Sequence, residues 1–323
     1  MSFLQAEKKR LTEWKLHTKH LSLEAKKPGV YAGKQRPFCL PADHSHENLF
    51  EPIRSEILEY FTKHRIVWHA GASPGHPSNH LCGSQVFAAN LLGPFLRAPK
   101  ALTTLLRPAL PDIESVLPIE SPGQFLAFEW IPPVDLLKEA RSTGAFRNRK
   151  RGIGCTSIDF TLLIRCRNER TVMILGEVKY TERYPKTSPL PEQASKRLEP
   201  YLTLLQGIQW SLPTDWATLA PLAAEPMYQL FRHHVLASQL MSRYSGKIGE
   251  VRLLHFYFAD TSTECPTGFR SPVLRKHEGE EILRTSPIPF NEVSVNELVG
   301  KFPMDRFADL ASWRSYMHER YQL

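Results

Sequence analysis

The chain has 323 residues, of which 42% are hydrophobic and 23% are charged, so it can bury the core of one large or two ordinary domains and is not a largely disordered chain. No run of about 18 uncharged apolar residues occurs, and the first residues lack the apolar stretch of a secretory signal, so we expect a cytoplasmic protein without membrane association. Five scattered cysteines without a C-x-x-C pair indicate neither a disulfide framework nor a cysteine zinc site.

The chain is basic, and most of its excess charge lies near the N-terminus. The formal net charge is +8, and residues 1–36 contain nine Lys or Arg against three Glu. A basic balance favours polyanionic partners such as nucleic acid. We therefore divide the chain into a basic arm, residues 1–36, and a domain, residues 37–323. A nucleic-acid-binding arm and an ordinary solvated helix both fit this charge, and "AKKPGVYAGKQRP" in residues 25–37 is predicted to be a linker.

A helical part is predicted for residues 47–97 of the domain. The first helix has apolar residues at Ile53, Ile57 and Phe61, and Pro52 suits its first turn. A second, buried helix follows in "NHLCGSQVFAANLLGPFL" and should end at Gly93-Pro94.

The predicted sheet core extends over residues 124–258. Strands are predicted in "QFLAFEWIPP", "SIDFTLLIRC", "TVMILGEVK" and "GEVRLLHFYFAD", the last of which completes the sheet without adding a site. A helix in "AEPMYQLFRHHVLASQLMSRY" carries an apolar stripe that includes Met227, Phe231 and Val235. A closing helix is predicted within residues 303–321. Strands that alternate with helices indicate one α/β domain.

Two acidic residues are predicted to meet at the end of the central hairpin. If "CRNER" is its loop, the pairing that sets Arg165 against Thr171 also sets Asp159 against Glu177. Directly opposed residues have Cβ atoms about 4.5 to 5.5 Å apart, so this carboxylate pair needs a shared proton or a cation. Lys179 lies on the same face as Glu177. The pattern fits a divalent-metal phosphoryl-transfer site, although solvent-facing charges at a strand end give the same pattern.

These strands resemble the core of the PD-(D/E)XK nuclease superfamily, which includes type II restriction endonucleases. The ordered blocks "NLFEPIRSEILEYF", "IVWHAG", "PSNHLCGSQVFAANLLGPF", "FEWIP", "TSIDF", "GEVKYTERY" and "YQLFRHHVLA" are similar to a bacterial family of restriction-endonuclease-like proteins. The resemblance implies an α/β, restriction-endonuclease-like fold in which helices flank a mixed central β-sheet.

The resemblance also implies roles for individual residues. Asp159, Glu177 and Lys179 match the catalytic acids and lysine of the superfamily, and the backbone carbonyl of Val178 matches a further metal ligand. Glu129 is the candidate for an accessory metal ligand. Glu56 is a weaker alternative, and the helix block carries Gln85 instead of an acid.

Several polar residues are candidate contacts to DNA. They lie in the basic loop "FRNRKRG", on the helix after the site and in the buried helix. The candidates are Arg147, Arg149, Lys150, Arg151, Gln229, Arg232 and Gln85. A solvated loop and an ordinary polar helix flank explain the same residues.

Other chemistries have weaker support in the sequence. His44, His46, His69, His76 and His80 are clustered, but the H-E-x-x-H arrangement of a zinc site is absent. Walker A, G-x-G-x-x-G and G-x-S-x-G motifs are also absent, so neither a P-loop ATPase nor the usual hydrolase elbow is predicted.

The sequence therefore predicts a Mg²⁺-dependent (or Mn²⁺-dependent) endodeoxyribonuclease, restriction-like or defensive. Its expected partner is DNA, and cutting two strands suggests a homodimer. A catalytically silent nuclease-like module that binds nucleic acid or a protein is the alternative. A metal-dependent enzyme acting on a small phosphate ester is a third possibility.

Overall fold

A mixed β-sheet forms the centre of the computed structural model, which describes residues 3–70, 73–139, 149–181, 191–209, 212, 215–225, 227–258 and 278–323. Its six strands within these ranges are β3 (Ile113–Leu117), β4 (Ala127–Trp130), β5 (Ile158–Cys166), β6 (Thr171–Val178), β7 (Glu250–Tyr257) and β8 (Phe290–Ser294). A separate two-stranded sheet consists of β1 (Gly29–Tyr31) and β2 (Lys34–Arg36).

Helices cover both faces of the central sheet. They are α1 (Phe3–His17), α2 (Glu51–Lys63), α3 (Ser84–Leu92), α4 (Pro99–Leu106), α5 (Pro191–Leu205), α6 (Trp216–Leu219), α7 (Met227–Tyr244), α8 (Glu278–Arg284), α9 (Val295–Gly300) and α10 (Ala311–Tyr321). This arrangement confirms the predicted α/β class with a mixed, helix-flanked sheet. No helix within the described ranges is long and apolar enough to cross a bilayer.

The strand order explains why the sheet is mixed. Strands β3 and β4 both pair antiparallel with β5, and β5 pairs antiparallel with β6 across a short loop. Strands β6, β7 and β8 then run parallel, because helical segments connect them. Arg165 pairs with Thr171 and Thr161 pairs with Leu175, which confirms the hairpin register predicted from the sequence.

Alternating side chains of the strands divide the core into two clusters. Phe160, Leu162 and Ile174 belong to the cluster that packs beneath α1–α4, α9 and α10. Met173 and Leu175 belong to the other cluster, together with the apolar faces of α5, α7 and α8. Both faces of the central strands are therefore buried, so a charged side chain among these strands must have a partner.

The predicted basic arm packs against the domain. Leu11, Leu21 and Ala25 belong to the larger core cluster, and the buried ammonium of Lys15 donates hydrogen bonds to the backbone carbonyls of Lys27 and Cys39, each at 3.0 Å. The predicted linker is wrong for part of its length, because β1 and β2 form a hairpin there. Its two turn residues have positive φ angles, the backbone that a two-residue hairpin turn requires.

The closing helix α10 is anchored by a buried arginine. The Arg320 guanidinium is fully buried and donates hydrogen bonds to the backbone carbonyl of Asn48 at 2.6 Å and to the Tyr316 hydroxyl at 2.5 Å. The C-terminal helix is thereby attached to the helical N-terminal part.

A glycine next to the acidic pair accommodates an aromatic ring. Gly176 pairs with Phe160, and a Cβ atom at Gly176 would lie 2.1 Å from the Phe160 ring. Because Phe160 is fully buried, its ring has little room to move. We expect Gly176→Ala to lower the free energy of unfolding by about 1–3 kcal/mol, measured by urea denaturation.

Gly246→Ala is the matched control for this substitution. A Cβ atom there meets nothing within 4 Å, so the change in stability should stay within about 0.5 kcal/mol. Equal effects of the two substitutions would show that the ring does not require the glycine.

Candidate active site

The sheet register aligns ionisable residues across its central strands. Glu177 of β6 pairs with His255 of β7, which in turn pairs with Glu292 of β8. Extending the β5–β6 register by one residue from the Phe160–Gly176 pair sets Asp159 beside Glu177. The β4–β5 register likewise sets Glu129 opposite Asp159. Three carboxylates thus occupy neighbouring positions on adjacent strands.

Asp159 and the end of β6 are directly connected. The backbone N–H of Val178 donates a hydrogen bond to Asp159 Oδ2 at 2.8 Å. The ammonium of Lys179 forms an ion pair with Glu177 Oε1. Glu177 is 2% exposed and Lys179 is 7% exposed. The acid and lysine predicted from the sequence are therefore a buried pair rather than solvent-facing charges at a strand end.

The electrostatic surroundings of Asp159 oppose its ionisation. Burial raises the pKa of the Asp159 carboxyl well above its usual range. The negative charge of Glu177 is the second cause of this increase, and that of Glu129 also contributes. Lys179 and the N–H of Val178 act in the opposite direction. A cation at this point would relieve the repulsion between the carboxylates.

Helix α7 supplies further side chains to Glu177. Gln229 Nε2 donates a hydrogen bond to Glu177 Oε1 at 2.7 Å, and His233 Nε2 lies 3.6 Å from Glu177 Oε2. Gln229 and His233 are four residues apart, so they project from the same face of the helix. Burial, with the nearby charges of Arg232 and Lys179, lowers the pKa of His233 to about 3, so its ring is neutral at pH 7.

Glu129 is held by its own polar partners. Gln85 Nε2 donates to Glu129 Oε1 at 2.8 Å, and His69 Nε2 lies 3.7 Å from the same oxygen. The φ angle of Glu129 is +46°, an uncommon backbone conformation for a residue other than glycine. Gln85, a candidate DNA contact, thus serves to orient this carboxylate. Glu56, the alternative ligand, pairs instead with Arg97 and does not line the site cavity.

Arg232 takes part in a network at the edge of the site. Its guanidinium donates to the Thr156 hydroxyl at 2.6 Å and forms an ion pair with Glu139 at 3.2 Å. The Thr156 hydroxyl also donates to Glu139 Oε1 at 2.6 Å. These contacts hold the segment before β5 against α7.

The residues of the basic loop have different environments. Arg151 forms an ion pair with Glu120, and Arg149 donates to the backbone carbonyl of Pro132 at 2.9 Å. Lys150 is exposed, whereas Arg147 lies outside the described residues. Of the loop residues that are described, Lys150 is thus the one most accessible to a phosphate.

These side chains meet at a cavity of about 490 Å³. Asp159, Lys179, Glu129, Gln229 and Arg232 line it. Carboxylate and carbonyl oxygens are hard donors, and Mg²⁺ commonly takes one or two carboxylates and keeps several waters. The donors Asp159, Glu177 and the Val178 carbonyl fit this preference. Within the described ranges, no group of three or more His, Cys, Asp or Glu side chains is arranged around one metal position.

Two histidines near the carboxylates were not predicted as site residues. His255 lies in β7, which the sequence suggested adds no site, and burial lowers its pKa well below the usual range, with Lys179 and His233 contributing. The four-residue spacing of Gln229 and His233 was a signal for a shared helix face. A histidine within the buried strand sequence "RLLHFYF" was the corresponding signal for His255.

The sheet and this site define an α/β protein with a restriction-endonuclease-like architecture. The family model described as "Restriction Endonuclease associating with ARP" matches residues 8–322. The chain belongs to this family. The match begins within the predicted basic arm, in agreement with its packing on the domain. Neither a curated protein nor a solved structure matches the chain.

Proposed function

We propose that the protein is a Mg²⁺- or Mn²⁺-dependent endodeoxyribonuclease of the PD-(D/E)XK type that hydrolyses phosphodiester bonds of DNA in restriction or defence. The observation that carries this proposal is the juxtaposition of Asp159 and Glu177 in one sheet register, with the buried ammonium of Lys179 beside them. Membership of a restriction-endonuclease family supports the same conclusion.

Asp159, Glu177 and the backbone carbonyl of Val178 would hold the divalent metal. The bound metal would supply Lewis-acid chemistry by acidifying a water molecule and offsetting phosphate charge. Lys179 positions the attacking water by hydrogen bonding and stabilises the negative charge that develops on the phosphate.

The surrounding residues orient this machinery. Gln229 fixes Glu177 through one hydrogen bond, and the neutral ring of His233 packs beside its other oxygen without adding charge. Glu129 is proposed as an accessory acid that increases the negative potential at the cavity. Because Gln85 holds it, Glu129 acts on the site through its charge from a fixed position.

DNA is proposed to contact the rim of the cavity. Lys150, which is exposed and lies in the segment that leads into the cavity, is the proposed phosphate contact. Arg232 and Gln229 line the cavity, where Thr156, Glu139 and Glu177 hold them in position to face a bound substrate. Arg149 and Arg151 have internal partners, so they shape the approach to the site more than they offer free charge. A homodimer, which would present two sites to the two strands, is part of the proposal.

Incubation of the protein with supercoiled plasmid and single-stranded DNA in Mg²⁺, Mn²⁺ or EDTA tests this function. We expect cutting with either metal and none with EDTA. Binding that is weakened by salt, without cutting of any DNA in either metal, would instead favour the nuclease-like binding module. Hydrolysis of a chromogenic phosphate ester without DNA cutting would indicate a small-molecule esterase.

A further inference from the structure

A second, larger cavity lies on the same face of the sheet as the candidate site. This groove has a volume of about 1130 Å³, and Leu163 of β5 and Met173 of β6 line it. Leu163 is four residues from Asp159, and Met173 is four residues from Glu177, so these side chains share one face of the sheet. At about 3.3 Å per residue, the groove begins on the order of 13 Å from the carboxylates.

One chain segment forms a wall of both cavities. Residues 149–151 line the groove, and residues 152–157 line the site cavity. Helix α7 contributes to both as well, since Gln229 near its start lines the cavity and Tyr244 at its end lines the groove. A ligand in the groove is therefore adjacent to a substrate at the carboxylates.

The groove has an excess of positive charge. Five Lys or Arg residues line it against two acids, Glu120 and Asp135. Both acids have internal partners, since Glu120 is paired with Arg151 and Asp135 lies 3.8 Å from Arg149.

Three further cations face solvent at the groove. Arg65, Lys150 and Lys247 are exposed, and none has an ion-pair partner in the part of the chain that the structure describes. The charge that remains for a ligand is thus positive, which is complementary to phosphate.

The groove also offers aromatic and apolar surface. Trp130 and Tyr244 line it together with Ile131 and Pro132. Aromatic faces bind nucleobases by stacking, and adjacent cations bind the phosphates of the same strand.

We propose that this groove binds an unpaired nucleotide of the DNA substrate. The base stacks on the half-buried ring of Tyr244, next to Trp130, which is 8% exposed, and the flanking phosphates contact Lys150 and Lys247. Bases within an intact duplex are stacked and cannot reach such a surface, so the ligand is single-stranded or an extruded nucleotide. This inference rests on the proposed function and narrows its substrate to DNA with an unpaired nucleotide near the cleaved bond.

The test compares binding of two duplexes that differ by one central unpaired nucleotide. Fluorescence anisotropy is measured in EDTA with the full-length protein, so binding is separated from cleavage. We expect tighter binding of the duplex that carries the unpaired nucleotide. Tyr244→Ala should weaken that binding by a factor on the order of ten, whereas Tyr244→Phe, which keeps the ring, should retain it.

Charge variants provide a second measure that does not depend on Tyr244. Lys247→Glu should weaken binding of the same duplex and reduce its salt dependence. Lys100→Glu is the matched control, because Lys100 is exposed and lines neither cavity. If circular dichroism shows that Tyr244→Ala does not fold, the groove proposal is tested by comparing the binding of Lys247→Glu with that of Lys100→Glu.

The two proposals fail in distinguishable ways. The groove proposal is overturned if the wild-type protein binds both duplexes equally, even if Mg²⁺-dependent cutting occurs. It is also overturned if the preference for the unpaired nucleotide is unchanged in Tyr244→Ala and Lys247→Glu. A preference that depends on Tyr244 or Lys247, without cutting in any metal, supports the groove and overturns the nuclease.

Discussion

Glu177→Gln and Lys179→Met are each expected to reduce metal-dependent DNA cleavage by a factor on the order of 10²–10³ or more. Gln has the size of Glu but lacks the charge that would hold the metal, and Met has the length of Lys but cannot position water or stabilise developing charge. The measurement is the initial rate of plasmid cutting in Mg²⁺ at equal protein concentration.

Stability must be measured beside activity, because Glu177 and Lys179 form a buried ion pair. Lys179→Met leaves Glu177 buried beside Asp159 without its cation and should lower the free energy of unfolding by roughly 3–5 kcal/mol. Glu177→Gln should cost less, because it also removes the repulsion between Glu177 and Asp159 and leaves Lys179 near the Asp159 carboxylate. The double variant Glu177→Gln/Lys179→Met removes both charges and should recover part of that loss. A folded double variant without activity then separates a catalytic defect from unfolding.

The exposed pair Glu192–Lys196 on α5 offers a matched control. A surface pair contributes about 0–1 kcal/mol, so Glu192→Gln and Lys196→Met should leave both stability and cutting near wild type. Cutting by a folded Glu177→Gln or Lys179→Met protein at the wild-type rate would disprove the assigned roles.

Asp159→Asn is expected to have opposite effects on stability and on activity. In EDTA the variant should be more stable than the wild type at pH 7, by an amount on the order of 1–3 kcal/mol, because it removes a half-buried carboxyl whose ionised form is repelled by Glu177. The amide oxygen can still accept the hydrogen bond from Val178 N–H. Cleavage should be lost together with the metal ligand.

The direction of the pKa shift of Asp159 determines how the stability difference between Asp159→Asn and the wild type depends on pH. The pKa of Asp159 is raised in the folded protein, so the protonated carboxyl contributes stability that is fully present below its unfolded pKa of about 3.9. That contribution is lost as the pH rises through the folded pKa. The advantage of Asp159→Asn should therefore be absent near pH 4 and increase toward neutral pH.

Urea denaturation in EDTA and in Mg²⁺ at several pH values measures these effects. Mg²⁺ should stabilise the wild type, because a ligand that binds the native state lowers its free energy, and should stabilise Asp159→Asn less. A variant that is less stable than the wild type at pH 7 in EDTA would contradict the repulsion between the carboxylates. Equal stabilisation of both proteins by Mg²⁺ would contradict Asp159 as a metal ligand.

Local sequence patterns were sufficient for the elements with strong periodicity. The 3.6-residue stripes of α2 and α7 and the alternation in β5 and β6 are properties of short segments, so they could be predicted without knowledge of their neighbours. The hairpin loop is short enough to set the register, and the register alone places Asp159 beside Glu177. Strands β3 and β8 were not predicted, because their sequences "IESVL" and "FNEVS" mix acidic and polar residues with apolar ones.

The sequence by itself thus determined the α/β class, the acidic pair and the lysine beside it. Only the tertiary structure decided that Glu177 is buried with Gln229 and His233, that His255 is its neighbour, and that Arg151 is paired internally. These contacts join segments that are tens of residues apart, and the crossover connections between parallel strands do not set a register. Periodicity indicates which face of a helix or strand is apolar. Which side chains far apart in the sequence become partners depends on how the helices and strands pack together.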